Sequence, residues 1–265
     1  MEQEGKVYIV TGSATGVGAA TALQLAQRGA RLVINYTRSQ EEAAQTAAAC
    51  QAYGAEVELI QADVAQDEQC RRLVNAAIER WGRLDGLVNN AGVTVKSDPF
   101  DLNTLSADDF QRVFGVNVVG CYQMCRAALP YLRESYGSVV NVSSHVAFTG
   151  GGSSLAYTAS KGAINALTLA LARTLAPEVR VNAVCPGVID TRWMRNAMGE
   201  DAYASFADRQ AAMTPLGRVA TAEDVAQAIV WLLQGADFIT GELLCVDGGF
   251  RLMGGLRKPA AGSAG

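Results

Sequence analysis

The sequence predicts an α/β protein, a doubly wound parallel sheet with helices on both faces. Three observations lead there. Apolar runs of strand length alternate with longer helical stretches, the order that a parallel sheet and its crossover helices require. The runs are apolar nearly throughout, not at every second position, as strands covered on both faces are. A glycine-rich turn, Gly12 to Gly18, joins the first run to the first helix.

Each element has its own signal. Lys6–Thr11 (KVYIVT) reads as the first strand and Gly16–Arg28 as a helix, closed by Gly29 where a helix C-terminus favours glycine. Arg31–Tyr36 (RLVINY) is the second strand. The Ala- and Glu-rich stretch Gln40–Tyr53 is helical and ends at Gly54. Glu56–Gln61 is a third strand, Gln66–Trp81 a helix, and Leu84–Asn89 a fourth strand. Asp108–Leu132 predicts one long helix, broken or bent near Pro130. Gly137–Ser143 (GSVVNVS) is a fifth strand, Leu155–Ala176 a helix stopped by Pro177, and Arg180–Cys185 a sixth strand. Ala222–Leu233 is helical, and Glu242–Val246 is a final short strand.

The chain of 265 residues carries 49% hydrophobic and 18% charged residues, an ordinary globular composition with enough length for a sizeable core. No Pro/Gly/Ser linker divides it, so one domain is expected over residues 1–257, with KPAAGSAG at 258–265 as a disordered tail. A net charge of −4 argues against a nucleic-acid partner, which needs clustered Lys and Arg. No apolar run reaches the ~18 residues of a membrane helix. The start, MEQEGKVYIV, lacks the basic and long apolar regions of a signal peptide, and a cytoplasmic location is expected.

The six cysteines form no C-x-x-C pair and His145 is the one histidine, so no metal site is expected. Cys121 and Cys125 share a helix face. A metal or redox pair and two small buried side chains are the readings, the second favoured because free Cys is among the most buried residues.

The turn Thr11-Gly12-Ser13-Ala14-Thr15-Gly16-Val17-Gly18 is spaced G-x-x-x-G-x-G rather than G-x-G-x-x-G. Glycines there let the backbone approach a ligand, and the helix N-terminus offers free N–H groups to a pyrophosphate. Tyr157 and Lys161 stand four apart in a predicted helix and so lie on one face. An ammonium beside a phenol favours the phenolate, lowering its pKa from ~10 towards the working range of a proton-transfer group.

T-G-x-x-x-G-x-G resembles the cofactor loop of the short-chain dehydrogenases/reductases. The resemblance continues in order along the chain, from Lys6 to about Leu252. Asn89-Asn90-Ala91-Gly92 matches the family's N-N-A-G, Tyr157 and Lys161 its Y-x-x-x-K, and Pro186-Gly187-Val188-Ile189-Asp190-Thr191 its P-G-x-x-x-T. Ile239-Thr240-Gly241 and Val246-Asp247-Gly248-Gly249 resemble its closing segment. The resemblance implies a Rossmann-like sheet and hydride transfer between NADP(H) and a carbonyl or alcohol substrate. It assigns catalysis to Asn117, Ser144, Tyr157 and Lys161. Ser144 would donate to the carbonyl oxygen, Ser143 would support backbone or cofactor, and the Asn117 side chain would hold a water linked to Lys161. Lys161 would also contact the nicotinamide ribose. A Ser144–His145 hydrolase pair is the competing class, but the chain has no G-x-S-x-G elbow. His145 reads instead as a pocket-edge or plain loop residue.

By the same resemblance the cofactor lies against Gly12, Ser13, Thr15, Gly16, Val17 and Gly18. Asp63 and Val64 would meet the adenine, and Asn90, Ala91, Gly92, Pro186, Gly187, Ile189 and Thr191 would complete the site. The second strand ends in Tyr36-Thr37-Arg38-Ser39, with no acid to bind a ribose 2′-hydroxyl. Arg38, with the hydroxyls of Thr37 and Ser39, suits a 2′-phosphate. The expected cofactor is NADP(H), with weaker use of NAD(H). Residues 191–218 fall where the family has its substrate loop. Their Trp193, Met194, Met198, Tyr203, Phe206 and Met213 would line an apolar pocket or pack on the core, and Arg192 and Arg195 would meet an anionic group or only solvent. Related sequences include 3-oxoacyl-[acyl-carrier-protein] reductases and glucose dehydrogenases, so the small-molecule substrate stays open between ketones and sugars or polyols. The family also implies a homotetramer, or a homodimer, built through the two long helices and the last strand. A silent cofactor-binding regulator is the non-enzyme alternative, and its signature would be a broken Asn-Ser-Tyr-Lys set.

Overall fold

The computed structural model describes residues 5–190, 195 and 199–252. The chain runs β1 (Val7–Val10), α1 (Gly16–Ala26), β2 (Arg31–Tyr36), α2 (Gln40–Gln51), β3 (Val57–Gln61), α3 (Asp67–Trp81) and β4 (Gly86–Asn89). It continues through α4 (Ala107–Phe114), a π-helical segment (Gly115–Gly120), α5 (Cys121–Glu134), β5 (Ser138–Val142), α6 (Val146–Thr149), α7 (Leu155–Leu175) and β6 (Arg180–Pro186). Then follow α8 (Glu200–Met213), α9 (Ala222–Gln234) and β7 (Leu243–Val246).

The seven strands form one sheet in the order β3-β2-β1-β4-β5-β6-β7, and every neighbouring pair is parallel. Successive strand residues point to opposite faces, so β1 divides between two cores. Tyr8 and Val10 pack with Leu25 of α1, Ala43 of α2 and Ile229 of α9. Val7 and Ile9 pack with Leu73 of α3, Met124 of α5 and Leu175 of α7. Both faces of β1 are buried, which is why its sequence is an unbroken apolar run.

The long helix expected over Asp108–Leu132 is three pieces, and the irregularity is not at Pro130. Pro130 lies inside α5, which continues to Glu134. It is on the exposed side, where the carbonyl it leaves unbonded meets water. The departure comes upstream, where Gly115–Gly120 winds as a π-helical segment. Such segments insert an extra residue and re-aim side chains. Gly120 sits there because a Cβ would come within 2.8 Å of Val64 Cγ2. Helix α6 was not expected from the sequence, and α8 falls in the 191–218 stretch expected to carry the substrate loop. The tail 258–265, together with Thr191, Arg192, Trp193, Met194 and Met198, lies outside the described residues. Among the described residues no helix is long and apolar enough to cross a membrane.

Candidate active site

The strand order reverses between β1 and β4, and the loops leaving their C-terminal ends part to form a crevice. The glycine turn leaves β1 there. Gly12 (φ 61°) and Gly16 (φ 59°) occupy the left-handed region that glycine tolerates without strain. A Cβ on Gly12 would lie 2.9 Å from Ala91 Cα, and one on Gly18 would lie 2.6 Å from Asn90 Nδ2. These two glycines therefore pack the turn against the Asn90-Ala91-Gly92 loop. Asn90 completes the contact, its Nδ2 donating to the carbonyls of Thr11 and Gly12 at 2.9 Å each. The Asn90 side chain is thus spent on the loop, not on a ligand.

Helix α1 opens at the crevice with no side-chain cap from the exposed Thr15 and no acidic residue in its first turn. Its N–H groups and positive dipole end are left available to an anion. Ser13 is different. It is fully buried, its hydroxyl donates to Val10 O (2.7 Å) and accepts from Asn35 N (3.0 Å). The sequence reading placed Ser13 among the cofactor contacts, but its side chain faces inward because it ties β1 to β2.

Helix α7 is capped by Ser154, whose hydroxyl accepts from Tyr157 N at 3.1 Å. This fixes Tyr157 in the first turn and Lys161 one turn on. Lys161 is buried, donates to Val142 O at 2.8 Å, and holds its Nζ 5.4 Å from the centre of the Tyr157 ring. Ser144, just past β5, turns its hydroxyl towards the Tyr157 phenol closely enough to favour the phenolate, and accepts from Val146 N at 3.3 Å. Ser143 points the other way, to Lys161 O (3.1 Å) and Asn165 Oδ1 (2.6 Å), and so supports the backbone of α7.

Asn117 lies in the π-helical segment and is buried, with both Nδ2 protons and one Oδ1 lone pair already engaged by the protein. Its Oδ1 accepts from Val93 N (2.8 Å), and its Nδ2 donates to Val93 O (3.0 Å) and Ser160 Oγ (2.9 Å). The side chain expected to hold a water is thus mainly a bracket between the loop after β4 and helix α7. The electrostatics also differ from expectation. Burial pushes the Tyr157 phenol up to about 12, against the opposing effect of the Ser144 hydroxyl. Burial pulls the Lys161 ammonium down to about 8. Lys161 spends a proton on Val142 O, and desolvation outweighs its pull on the phenol.

Residues 12–251 match the family model described as enoyl-(acyl carrier protein) reductase. A protein given as ketoacyl reductase 2 of the granaticin polyketide synthase of Streptomyces violaceoruber is 43% identical over 94% of this chain and 98% of its own length. The 3-oxoacyl-[acyl-carrier-protein] reductase of Thermotoga maritima is 35% identical over 94% and 99%. A crystal structure of a short-chain dehydrogenase/reductase from Burkholderia xenovorans superposes with a TM-score of 0.87 at 40% identity, covering 94% of this chain and 98% of the other. The chain belongs to the short-chain dehydrogenase/reductase family. It is an oxidoreductase of that family, and the family uses a nicotinamide dinucleotide.

The short-chain dehydrogenase/reductase crevice here fits such a dinucleotide. The uncapped α1 N-terminus suits its pyrophosphate, and the β2 terminus lies alongside. Tyr36 is buried at that terminus, and Arg38 is exposed with no ion pair among the described residues. Thr37 Oγ1 donates to Ala62 O at 3.3 Å, and Ser39 sits at the start of α2 without a side-chain cap bond. Asp63 keeps one carboxylate oxygen on Ala65 N (3.0 Å), and Val64 is buried beneath it. On the far side Gly92 faces Lys161, with 3.8 Å between its Cβ position and Nζ. Gly187, after Pro186 ends β6, packs on Asp247, and Ile189 bridges to Ala220.

On the substrate side Tyr203 is buried, Phe206 half-buried and Met213 exposed on α8. Arg195 is bound to Asp190 through two contacts (3.0 and 2.8 Å), with its guanidinium 4.7 Å above the Tyr203 ring. It is therefore neither aimed at an anionic substrate nor free in solvent. His145 is buried, edge-on to Phe250 at 5.3 Å, with Nδ1 unpartnered, and burial lowers its pKa. Cys121 and Cys125 are both buried, bonded to Asn141 and Asn89 at 3.3 Å, as in the small-side-chain reading.

Two residues escaped the sequence reading. Asn35 was the polar interruption in an apolar strand. It accepts from Gly12 N (3.0 Å) and donates towards Ile60 O and Ala62 O, joining the glycine turn to β2 and β3. Ser160, between Tyr157 and Lys161, gave no signal beyond its place.

Proposed function

We propose that the chain is an NADP(H)-preferring carbonyl reductase that reduces a ketone or 3-oxoacyl group to the alcohol, with weaker use of NAD(H). The observation that carries this is the convergence of Ser144 and Tyr157 beside the buried Lys161, whose Nζ lies 5.4 Å from the Tyr157 ring centre and faces the Gly92 loop across the crevice. The nicotinamide supplies the hydride when bound. Ser144 and Tyr157 then hold the carbonyl oxygen, and the phenol gives its proton as that oxygen becomes an alkoxide. A phenol held near 12 is fully protonated at neutral pH, as an acid in the reducing direction must be. Lys161 supports the phenolate that remains. Gly12, Gly16, Val17 and Gly18 would hold the pyrophosphate, and Arg38 the 2′-phosphate. Ser13 and Asn90 act through backbone position. Thr191 keeps its expected place in the cofactor site by family resemblance alone. We place the protein in the cytoplasm as a homotetramer.

The ketoacyl reductase relatives favour a 3-oxoacyl substrate. The L-fucose dehydrogenase of Oryctolagus cuniculus, 38% identical over 95% of this chain and 87% of its own, supports sugar oxidation as the second reading. A panel separates them: ethyl acetoacetate and acetoacetyl-CoA with NADPH or NADH, against L-fucose and D-glucose with NADP⁺ or NAD⁺. Reduction of the β-keto compounds with NADPH, at a kcat/KM at least tenfold above that for sugars, is expected. Turnover of sugars alone would overturn the ketone assignment.

A further inference from the structure

We infer that Ser160 is a positioning residue for the reaction, the joint that sets the Tyr157–Lys161 turn against the cofactor-side loop. Ser160 is fully buried. Its hydroxyl donates to Tyr157 O at 2.7 Å and accepts from Asn117 Nδ2 at 2.9 Å. A serine bonding back to a carbonyl one turn earlier is common in helices and would mean little alone. Here the same oxygen is the landing point for a side chain from another element. Asn117 in turn grips both polar groups of Val93, at 2.8 and 3.0 Å. The path therefore runs from the Val93 backbone through Asn117 and Ser160 to the carbonyl of Tyr157. Gly92 precedes Val93, and its Cβ position is 3.4 Å from Asn117 Oδ1 and 3.8 Å from Lys161 Nζ.

The geometry explains why this joint has to be stiff. Tyr157 and Lys161 ride on α7, while Gly92 belongs to the loop that borders the crevice after β4. Hydride and proton must reach one carbonyl together, so the distance between loop and phenol controls the rate. Reacting atoms have to approach to about 3–3.5 Å, and misplacement of about 1 Å can cost up to 100-fold. Removing the Ser160 hydroxyl leaves Asn117 Nδ2 with one bond and lets the bracket tilt. No group that binds a cofactor or substrate is itself removed, because the buried Ser160 hydroxyl is engaged by the Tyr157 carbonyl and the Asn117 carboxamide.

The test is Ser160→Ala, assayed on ethyl acetoacetate with NADPH, with cofactor affinity read from nucleotide fluorescence. The expected result is a kcat lowered about tenfold, with KM and the NADPH Kd within about twofold of wild type. Ser160→Thr, which keeps the hydroxyl, should recover most of the rate. In an Asn117→Ala background, followed by single-turnover nucleotide absorbance, Ser160→Ala should cost almost nothing further, because both act through one bracket. If Ser160→Ala fails to fold, Ser160→Cys takes its place with nearly the same shape and a poor acceptor. An unchanged kcat, a loss appearing in KM or Kd, or losses that multiply with Asn117→Ala would overturn the inference. The inference rests on Tyr157 being the proton donor. Tyr157→Phe separates the two: if that variant keeps its turnover the donor assignment fails, whereas multiplicative losses with Tyr157→Phe inactive defeat only the role of Ser160.

Discussion

Arg38 and Asn35 show how neighbouring residues on one strand end divide two tasks. Arg38 is exposed and carries no ion pair among the described residues, so its charge is available to a ligand. Tyr36 occupies the position where an NAD-binding acid is expected, which removes a repulsive carboxylate from a 2′-phosphate. Arg38→Ala should therefore weaken NADPH selectively. A charge-assisted hydrogen bond contributes about 1.5–3 kcal/mol, or roughly ten- to hundredfold in Kd. NADH affinity should stay within about twofold. Parallel fluorescence titrations check this, and equal losses for both nucleotides would show that Arg38 does not read the phosphate. The Tyr157–Lys161 pair teaches a related point. Spacing alone argues that an ammonium lowers the phenol, yet burial of both groups dominates and drives the two apart, to about 12 and about 8. Depth is a property of the folded chain, so the direction of that shift could not be read from four-residue spacing.

Strands and packed helices were legible because each is dictated by local chemistry. The unbroken apolar run of β1 predicts burial on two faces, and Gly29 and Pro177 mark ends of helices by their backbone limits. The π-helical segment was not legible, since the contact made by its Asn117, to Val93, spans 24 residues of sequence. Ser13 and Asn117 were found as site residues but their side-chain duties were misread for the same reason: their partners are distant in sequence. Asn35 is the element-scale counterpart of Arg38. Its carboxamide binds the turn after β1 at Gly12 N and the end of β3 at Ile60 O and Ala62 O. Asn35→Ala takes the acceptor from Gly12 N and one donor each from Ile60 O and Ala62 O, the last still held by Thr37 Oγ1, at about 1–3 kcal/mol for a group left unpaired where water cannot reach. The expected outcome is a lower Tm together with equal weakening of NADPH and NADH, because the turn that holds their common pyrophosphate loses its support. A variant that binds both nucleotides as wild type would show that Gly12 needs no help from β2. Equal loss here, against selective loss in Arg38→Ala, separates holding the loop from reading the phosphate.

At the scale of the whole molecule, two apolar surfaces, one on α7 and one at the β7 edge, are left uncovered among the described residues. The first is the outer face of α7. Leu155, Ala159, Ala166, Leu169 and Ala170 are exposed there, with Val119 and Tyr122 exposed nearby on the π-helical segment and α5. Small side chains at that spacing let a second helix pack closely. The second is β7, the edge strand of the sheet. Its residues Leu243–Val246 are only half-buried, and Trp231 and Phe238 beside it are exposed. An open edge strand with apolar neighbours invites pairing. One self-complementary surface closes into a dimer, whereas two distinct ones close into a tetramer with dihedral symmetry. The homotetramer we propose would use both. Light scattering after size exclusion at micromolar concentration should give four times the 27.9 kDa chain mass. Ala166→Arg places an unpaired charge in the helix surface, where desolvation without a partner costs several kcal/mol, and leaves β7 untouched. That variant should elute as a dimer with its NADPH affinity unchanged, since Ala166 is exposed on the outer face of α7 whereas Lys161 on the same helix is buried. A wild-type protein that runs as a monodisperse monomer would sink the assembly, and an Ala166→Arg variant that stays tetrameric would remove α7 from it.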